Sequence, residues 1–299
     1  MDADGTRALA RCRAYDLLAS LFGEGIRRAE HLRAVEAFRA FVPERPDEQD
    51  EVRFHRLFSI EVLPYESVFL SPERVLGGET TLSLWDCMGE AGFRPETEPD
   101  HLAGQLAFLS WLSGAEADAW HSGAPDEAAR LQRLARAFMR EHLAAWLPPL
   151  VVALQELDEG IYAAAAGMLL ELTSSQLQGP PTLALPLAEE LLADSGTGLA
   201  QVADWLASPA RSGVWLTPAS ITAAGRARDL PRGFGRRPQL IENLLHTAVR
   251  HGALGLLLAD LDVALELRQG RLESLPGGAG WATRVSHTRA QLAVMAAAA

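Results

Sequence analysis

A short polar stretch at residues 96–101 holds three acids and a histidine. Carboxylates and an imidazole can transfer protons, bind a metal ion, or receive the positive charges of a ligand. Which of these roles is open to them depends on the element that positions them. The candidates are Glu96, Glu98, Asp100 and His101.

The element that follows this stretch is predicted to be a buried helix. Pro99 suits the first turn of a helix, where its missing N–H costs nothing, and Asp100 would favour the positive end of the helix dipole. The body is apolar nearly all round, which is typical of a helix inside a core. An ordinary capped helix would also explain the acids, so both interpretations are open at this point. The apolar positions are Leu102, Leu106, Phe108, Leu109, Trp111 and Leu112.

Catalysis is not the interpretation that the sequence favours. A metal site from Glu96, Glu98 and His101 has no further ligands at helical spacing, although these residue types are suitable. Acid–base chemistry by Asp100 and His101 has no nucleophile or oxyanion donor suggested nearby. The sequence also contains no phosphate-binding loop with a lysine, no nucleophile elbow and no His-Glu-x-x-His helix. We therefore expect neither enzymatic activity nor a cofactor nor a metal.

Helical periodicity dominates the rest of the chain, and no two-residue alternation is long enough to propose a sheet. The predicted fold class is therefore all-α. Prolines and glycines place the ends of the helices. They predict a helix over 32–41, a loop from Gly114 to Gly123, and a helix break at Pro148-Pro149.

The clearest boundary lies between Gln178 and Pro186, where glycine and prolines cluster. It divides the chain into a helical domain at residues 1–178 and a helical extension at residues 187–299. A short helix is predicted from Leu187 to Ala193, and the final segment, ending in four alanines, is weakly specified.

Composition narrows the classes of partner. The 299 residues are 48 % hydrophobic and 22 % charged, as in an ordinary folded soluble protein. The formal net charge of −12 disfavours nucleic acid and suits a basic partner or peptide. We find no secretory signal and no uninterrupted apolar run of about 18 residues, so we expect a cytoplasmic protein without membrane insertion. Two cysteines make neither a disulfide framework nor a metal cluster.

An arginine-rich segment surrounds Gly233-Phe234-Gly235. It is either a solvated loop or a docking site for an acidic or phosphate-bearing partner. The arginines are Arg226, Arg228, Arg232, Arg236 and Arg237.

Four separated motifs together resemble the TorD/DmsD/NarJ family of redox-enzyme maturation chaperones. They occur in the family's order on an all-helical chain, and the resemblance covers about residues 6 to 178. The motifs are the opening helix around Arg13 to Phe22, Phe54-His55-Arg56-Leu57-Phe58 with Pro64-Tyr65-Glu66-Ser67, Glu98-Pro99-Asp100-His101, and Phe138 with His142-Leu143 and Trp146-Leu147-Pro148.

This resemblance implies a TorD-like helical bundle and a non-catalytic cytoplasmic chaperone. Such chaperones bind the twin-arginine signal peptide of a molybdopterin-dependent oxidoreductase precursor and delay its export until the cofactor is inserted. Residues 187–299 would then be an extension without a family counterpart. Carried over by motif, the peptide-binding candidates are Asp100 and His101 in the hinge, Tyr65, Glu66 and Ser67 in the adjacent loop, Trp85 before the hinge, and Glu98.

The residue types agree with a receptor for such a leader. Two guanidinium groups followed by an apolar run require carboxylates and an exposed apolar groove. We predict that Tyr65, Phe69 and Trp85 form the apolar wall. Alternatives are a helical adaptor or structural subunit of a larger complex, and a metal-dependent hydrolase. The carboxylates are expected from Glu66, Glu96, Glu98 and Asp100.

Overall fold

The computed structural model describes residues 3–26, 48–72, 76–157, 160–177, 190–192, 196–231 and 233–298. These residues form an all-α fold, as predicted, and their sole β pairing is an isolated bridge between Tyr65 and His101. The helices are α1 (Ala3–Glu24), α2 (Glu48–Arg56), α3 (Glu66–Leu70), α4 (Glu79–Glu90), α5 (Leu102–His121), α6 (Pro125–Phe138), α7 (Ala144–Leu157), α8 (Ile161–Gln176), α9 (Leu199–Ala207), α10 (Pro209–Ser212), α11 (Pro218–Arg226), α12 (Arg237–Arg250), α13 (Leu254–Ser274) and α14 (Ala279–Ala298). Two π-helical turns, Leu57–Glu61 and Met139–Leu143, follow α2 and precede α7.

Helix α5 lies at the centre of the N-terminal half, between α1 and α6. Its leucines and Phe108 are fully buried, as the all-round apolar pattern predicts. Trp111 is the exception among the predicted positions, since 38 % of its surface is exposed. A central helix of this kind fixes the direction in which its first turn, and hence the polar stretch before it, faces.

The predicted loop from Gly114 to Gly123 is wrong, because α5 continues to His121. Gly114 faces α1, and a Cβ at this position would lie 3.4 Å from the sulfur of Cys12. The glycine therefore lies inside the helix, where α5 faces α1, and does not end it. Glu116, which looked like a loop acid, is buried and receives hydrogen bonds from Arg11 and Gln132.

The predicted helix break at Pro148-Pro149 is also wrong, because both prolines lie inside α7. Proline cannot donate to the carbonyl four residues earlier, so Pro149 leaves the carbonyl of Ala145 without its helical partner. The indole N–H of Trp281, in α14, donates to that oxygen at 2.9 Å. The distortion in this region falls earlier, at the π-helical turn Met139–Leu143.

The buried apolar side chains of the described residues form two clusters. One is built by α1–α8, and the other by α9–α14 with Val152 from α7. Trp215 joins them, since it stacks on Phe69 with ring centroids 5.1 Å apart and donates to the carbonyl of Glu61 at 2.6 Å. The division of the chain near residues 178–187 stays a prediction.

Some predicted elements concern residues outside those described: the helix over 32–41, the boundary from Gln178 to Pro186, and most of the short helix from Leu187 to Ala193. The final segment forms α14, which packs along α13 and buries Trp281 and Val285. Among the helices described, none combines the length and the apolar character needed to cross a membrane.

Candidate functional site

Two separated motif segments meet just before α5. The backbone N–H of Glu66 donates to the carbonyl of Asp100, and that of Leu102 donates to the carbonyl of Pro64, both at 2.9 Å. These two bonds form the bridge between Tyr65 and His101. We call the joined segments, residues 64–67 and 98–105, the hinge. The two motifs therefore form one structural unit.

Asp100 lies inside the hinge, with 1 % of its surface exposed. Its carboxylate accepts a hydrogen bond of 2.5 Å from the hydroxyl of Ser67, which is also fully buried. The backbone N–H of Gly77 in turn donates to the Ser67 oxygen at 3.3 Å. Because a buried carboxylate is costly without donors, this chain of bonds fixes the loop before α3 against the start of α5.

Glu66 lies on the inner side of the hinge and is 3 % exposed. Gln105 donates to one of its carboxylate oxygens, and His142 Nδ1 lies 3.1 Å from the other. Burial raises the pKa of Glu66, although the His142 hydrogen bond opposes this. Burial lowers the pKa of His142, but its hydrogen bonds to Cys87 and Glu66 outweigh that effect and raise it to about 9. His142 therefore holds a proton at neutral pH and shares it with Glu66.

His101 caps α5 through its ring. Its Nδ1 accepts a hydrogen bond of 3.1 Å from the backbone N–H of Ala103, which requires that nitrogen to be unprotonated. Burial lowers the pKa of His101 to about 4, against the opposing effect of the Asp100 charge. The ring of Tyr65 packs edge-on against it with centroids 4.8 Å apart. His101 is thus neutral at physiological pH.

The outer side of the hinge carries partly exposed and exposed side chains. Tyr65 and His101 are partly exposed, and the carboxylates of Glu96 and Glu98 are exposed. Burial and the charges of Asp100 and Glu98 raise the pKa of Tyr65, so its hydroxyl remains a donor. We call these four residues the rim.

Gly104 permits the close approach of the rim to α5. A Cβ at this position would lie 2.6 Å from the carbonyl oxygen of Glu98 and 3.2 Å from the hydroxyl of Thr97. That distance is shorter than atoms can tolerate, so any larger residue would displace the turn that carries Glu98. The position of the rim therefore depends on a glycine that the sequence patterns did not single out.

Trp85 lies on α4, which contacts α3, and 40 % of its surface is exposed. Leu82, one turn earlier on the same helix, is also exposed. Within the described residues, no hydrogen bond or ring contact joins Trp85 to the hinge. The structure therefore brings together six of the seven candidate peptide-binding residues and places Trp85 on a neighbouring helix.

Two sequence expectations about the site do not hold in the structure. Phe69 was expected in an exposed apolar wall, but it is fully buried between Trp146 and Trp215. Glu66 and Asp100 were expected to offer carboxylates to a ligand, but both are buried and accept hydrogen bonds from neighbouring residues. Both corrections follow from the aromatic and polar partners that distant segments supply.

Sequence reasoning missed the partners of Glu66. Gln105 lies one turn into α5, and His142 lies in the π-helical turn before α7. His142 belongs to one of the motifs quoted above, but spacing alone gives no reason to pair it with Glu66, which is 76 residues away. A buried polar residue at Gln105 in an otherwise apolar helix was the available signal.

The titratable side chains of the hinge are engaged with neighbouring groups. In the part of the chain that the structure describes, no three His, Cys, Asp or Glu side chains are positioned to hold a metal ion. The ring nitrogen Nδ1 of His101 is engaged with the backbone, and Asp100 faces Ser67.

Some arginines of the arginine-rich segment are held by neighbouring side chains, and others are exposed to solvent. Arg228 binds both carboxylate oxygens of Asp260 at 2.6 Å, and Arg237 lies over the ring of Trp215 at 3.7 Å. Arg226 and Arg236 are exposed, and Arg232 lies outside the described residues. At least two of the five arginines are therefore structural.

Comparison with known proteins finds similarity to reductase assembly chaperones. Residues 27–152 match the family described as the nitrate reductase delta subunit. A selenate reductase assembly chaperone protein from Thauera selenatis is 42 % identical over 136 residues, which cover 38 % of this chain and 69 % of that protein. A chlorate reductase assembly chaperone protein from Ideonella dechloratans is 39 % identical over 85 residues, covering 28 % of this chain and 43 % of that protein. No solved structure gives a significant match.

Proposed function

This chain belongs to the TorD/DmsD/NarJ family of redox-enzyme maturation chaperones, and from that premise we propose that it assists the assembly of a molybdopterin-dependent oxidoreductase. We propose further that it binds the twin-arginine leader of that enzyme's catalytic subunit in the cytoplasm. Export would then wait until the cofactor is inserted. In this role the chain has no catalytic activity of its own.

The rim of the hinge is the observation that carries the leader-binding proposal. It presents the exposed carboxylates of Glu96 and Glu98 and a neutral His101, and the charge of Glu98 raises the pKa of Tyr65. An arginine pair needs carboxylates in this kind of arrangement, and a protonated histidine there would repel it. The burial of His101 therefore removes a competing positive charge at physiological pH.

The apolar part of a leader requires a second surface. Leu82 and Trp85 lie one turn apart on α4 and are both exposed. They form an apolar patch on a helix that contacts α3 at the hinge. We infer that the residues following the two arginines lie on this patch, where Trp85 acts as the main apolar contact.

Rough energetics are consistent with transient binding. A charge-assisted hydrogen bond contributes about 1.5–3 kcal/mol when shielded, and exposed carboxylates contribute about 1 kcal/mol or less. Micromolar affinity corresponds to about 8 kcal/mol. The exposed carboxylates therefore account for a minor part of the binding free energy. Burial of Trp85 and of the leader's apolar run must supply most of the rest.

Titration of the full chain with synthetic leaders tests the proposal. A leader with its two arginines should bind with micromolar affinity, and the same leader with both arginines changed to alanine should bind about tenfold more weakly. The double variant Glu96→Gln/Glu98→Gln should remove most of this difference, because the rim carboxylates would be gone. The matched control is Glu171→Gln, an exposed glutamate on α8, which should retain the difference.

Equal affinity for both leaders would refute recognition of the arginine pair. An undiminished preference in the Glu96→Gln/Glu98→Gln variant would refute the rim as its location. The coarser assembly role is tested separately, by asking whether the chain co-purifies with the precursor that lacks cofactor.

A structural or adaptor subunit is the second candidate function. Helix α13 favours it, because Leu256, Val263 and Leu267 are exposed on its surface at helical spacing. A permanent subunit should co-purify in fixed proportion with the mature, cofactor-loaded enzyme. Release of the chain on cofactor insertion would exclude this alternative.

A further inference from the structure

A cavity of about 330 Å³ lies in the C-terminal half, between α11, α12 and α13. Its α11 wall combines Ile221 with the small residues Ser220, Ala223 and Ala224, and leucines of the other two helices also line it. The space between the helices is therefore not filled by side chains. The volume is at the lower end of the range of about 300–1,000 Å³ that small-molecule sites occupy. Ala223 and Ala227 are exposed at its edge, so the cavity is open to solvent.

Arg268 is the most deeply buried charged residue that lines this cavity, with 7 % of its surface exposed. One terminal nitrogen donates to Glu156 at 2.8 Å, and the other donates to the carbonyl of Ala264 at 3.3 Å. None of the residues that the structure describes offers an acceptor to the remaining Nε–H group. A buried donor of this kind carries a desolvation penalty that an acceptor would relieve.

Arg268 also borders a void of about 10 Å³ beside Trp215. That volume is at the limit for a single water molecule. A water there could serve the Nε–H group without any ligand. Binding experiments must therefore show that the Nε–H group itself donates a hydrogen bond to a ligand.

The charges around the cavity are already compensated. Arg268 is paired with Glu156, and Asp260 is held by Arg228 through two bonds of 2.6 Å. The hydroxyl of Ser220 donates to the carbonyl of Thr217 at 2.9 Å. A charged ligand would lose its hydration without gaining an unpaired counter-charge. The hydrogen-bond donor that remains is the Nε–H group of Arg268, and a neutral oxygen atom of a ligand can accept its hydrogen bond.

We propose that this cavity binds a neutral, mostly apolar small molecule whose oxygen accepts a hydrogen bond from Arg268. The walls supply apolar contact, and the Arg268 donor fixes the orientation of the ligand. This site is distinct from the hinge and does not depend on leader binding. It gives the C-terminal half of the chain a ligand-binding role of its own.

Three probes of similar size separate the contributions. Acetophenone has an aromatic ring and a neutral carbonyl acceptor, ethylbenzene lacks the acceptor, and benzoate carries a charge. Binding of each to the full chain can be followed by saturation-transfer NMR, with titration to obtain dissociation constants. Acetophenone should bind most tightly, ethylbenzene about fivefold more weakly, and benzoate more weakly than both, in line with one neutral hydrogen bond and an uncompensated charge.

Two variants locate the site. Ala264→Leu, which adds volume inside the cavity, should weaken acetophenone and ethylbenzene at least about tenfold. Ala259→Leu, at an exposed position on the same helix outside the cavity, is its matched control and should change neither. Arg268→Met should weaken acetophenone about fivefold and leave ethylbenzene within about twofold. Arg271 remains near Glu156 in this variant, at 3.7 Å.

Several results would overturn the proposal. Absence of saturation transfer to all three probes, or equal binding by wild type and Ala264→Leu, would remove the site. Equal affinities of acetophenone and ethylbenzene would remove the role of the Arg268 donor, and tighter binding of benzoate would refute a neutral ligand. If Arg268→Met does not fold, the Ala264→Leu and Ala259→Leu pair and the three-probe order still decide the question.

Discussion

The hinge and the C-terminal cavity use buried polar groups in opposite ways. In the hinge, both buried carboxylates have donors from other segments: Ser67 for Asp100, and Gln105 with His142 for Glu66. Beside the cavity, Arg268 keeps a buried N–H group without an acceptor among the described residues and faces apolar walls. The buried carboxylates of the hinge already have their hydrogen bonds, whereas the Nε–H group of Arg268 can still donate one.

This difference distinguishes side chains that position other segments from side chains that can bind a partner. Residues whose hydrogen bonds are already made hold two segments in register, and they have little left to offer to a partner. In the hinge, our proposal therefore assigns recognition to the exposed side chains of Glu96 and Glu98, together with Tyr65 and His101. At the cavity, the same argument assigns recognition to the buried arginine itself.

The largest expected effect concerns the inner carboxylate of the hinge. Glu66→Ala should lower the free energy of unfolding by about 3–5 kcal/mol, because it leaves His142 and the amide of Gln105 buried without the carboxylate that both contact. Denaturant unfolding measures this. The comparison variant is Glu98→Ala on the exposed side, which should change stability by about 0.5 kcal/mol or less.

Similar small losses in both variants would mean that Glu66 is not a structural residue of the hinge. A large loss in Glu98→Ala would contradict its assignment to recognition. The double variant Glu66→Ala/His142→Ala should lose less stability than the sum of the two single variants, since the contact between the two side chains is lost only once.

The sequence predicted some of the fold because certain patterns depend on local physics alone. The burial of α5 follows from an apolar surface on every side. Its start was predicted one turn too early, because Pro99 and Asp100 form a turn before the helix and His101 is the N-cap. The cap at Thr217 before Pro218 is also a local feature, since Thr217 accepts the N–H of Ser220 at 3.0 Å. Such features need no knowledge of distant segments.

Other features were not readable because a distant residue decides them. Gly114 ends no helix, since α1 packs against it, and Pro149 breaks no helix, since Trp281 satisfies the freed carbonyl of Ala145. At the site, motif resemblance identified Tyr65–Ser67 and Asp100–His101 together, but it did not show which side chains face solvent. The pairing of Glu66 with His142 and the burial of Phe69 required the packed structure.

A smaller effect concerns the pH dependence of stability through His101. Its pKa is lowered to about 4 in the folded protein, against 6.5 for the ordinary group. Between these values the unfolded chain binds a proton that the folded chain does not bind. Stability contributed by the neutral ring is therefore complete above pH 6.5 and is lost as the pH falls towards 4, by about 2–3 kcal/mol.

His101→Ser isolates this contribution, because serine can accept the N–H of Ala103 without titrating. The difference in unfolding free energy between wild type and variant should be constant above pH 6.5 and should shift in favour of the variant below it. Carboxylates far from residue 101 contribute equally to both proteins and cancel in the difference. A difference that stays constant from pH 7 to pH 4 would show that His101 titrates normally in the folded state.

The smallest expected effect compares the packing of the two regions directly. Ala103→Leu adds bulk in the hinge, where the Cβ of Ala103 would lie only 3.0 Å from a Cβ built on Gly23, so it should cost about 1–3 kcal/mol. Ala264→Leu adds the same atoms beside the open cavity and should change stability by less than about 1 kcal/mol, because new apolar contacts offset the ordering of the side chain. Thermal and denaturant unfolding of the two variants measure this difference. Equal costs at both positions would mean that the cavity collapses around its own side chains in solution, and the contrast between a closed hinge and an open cavity would then be lost.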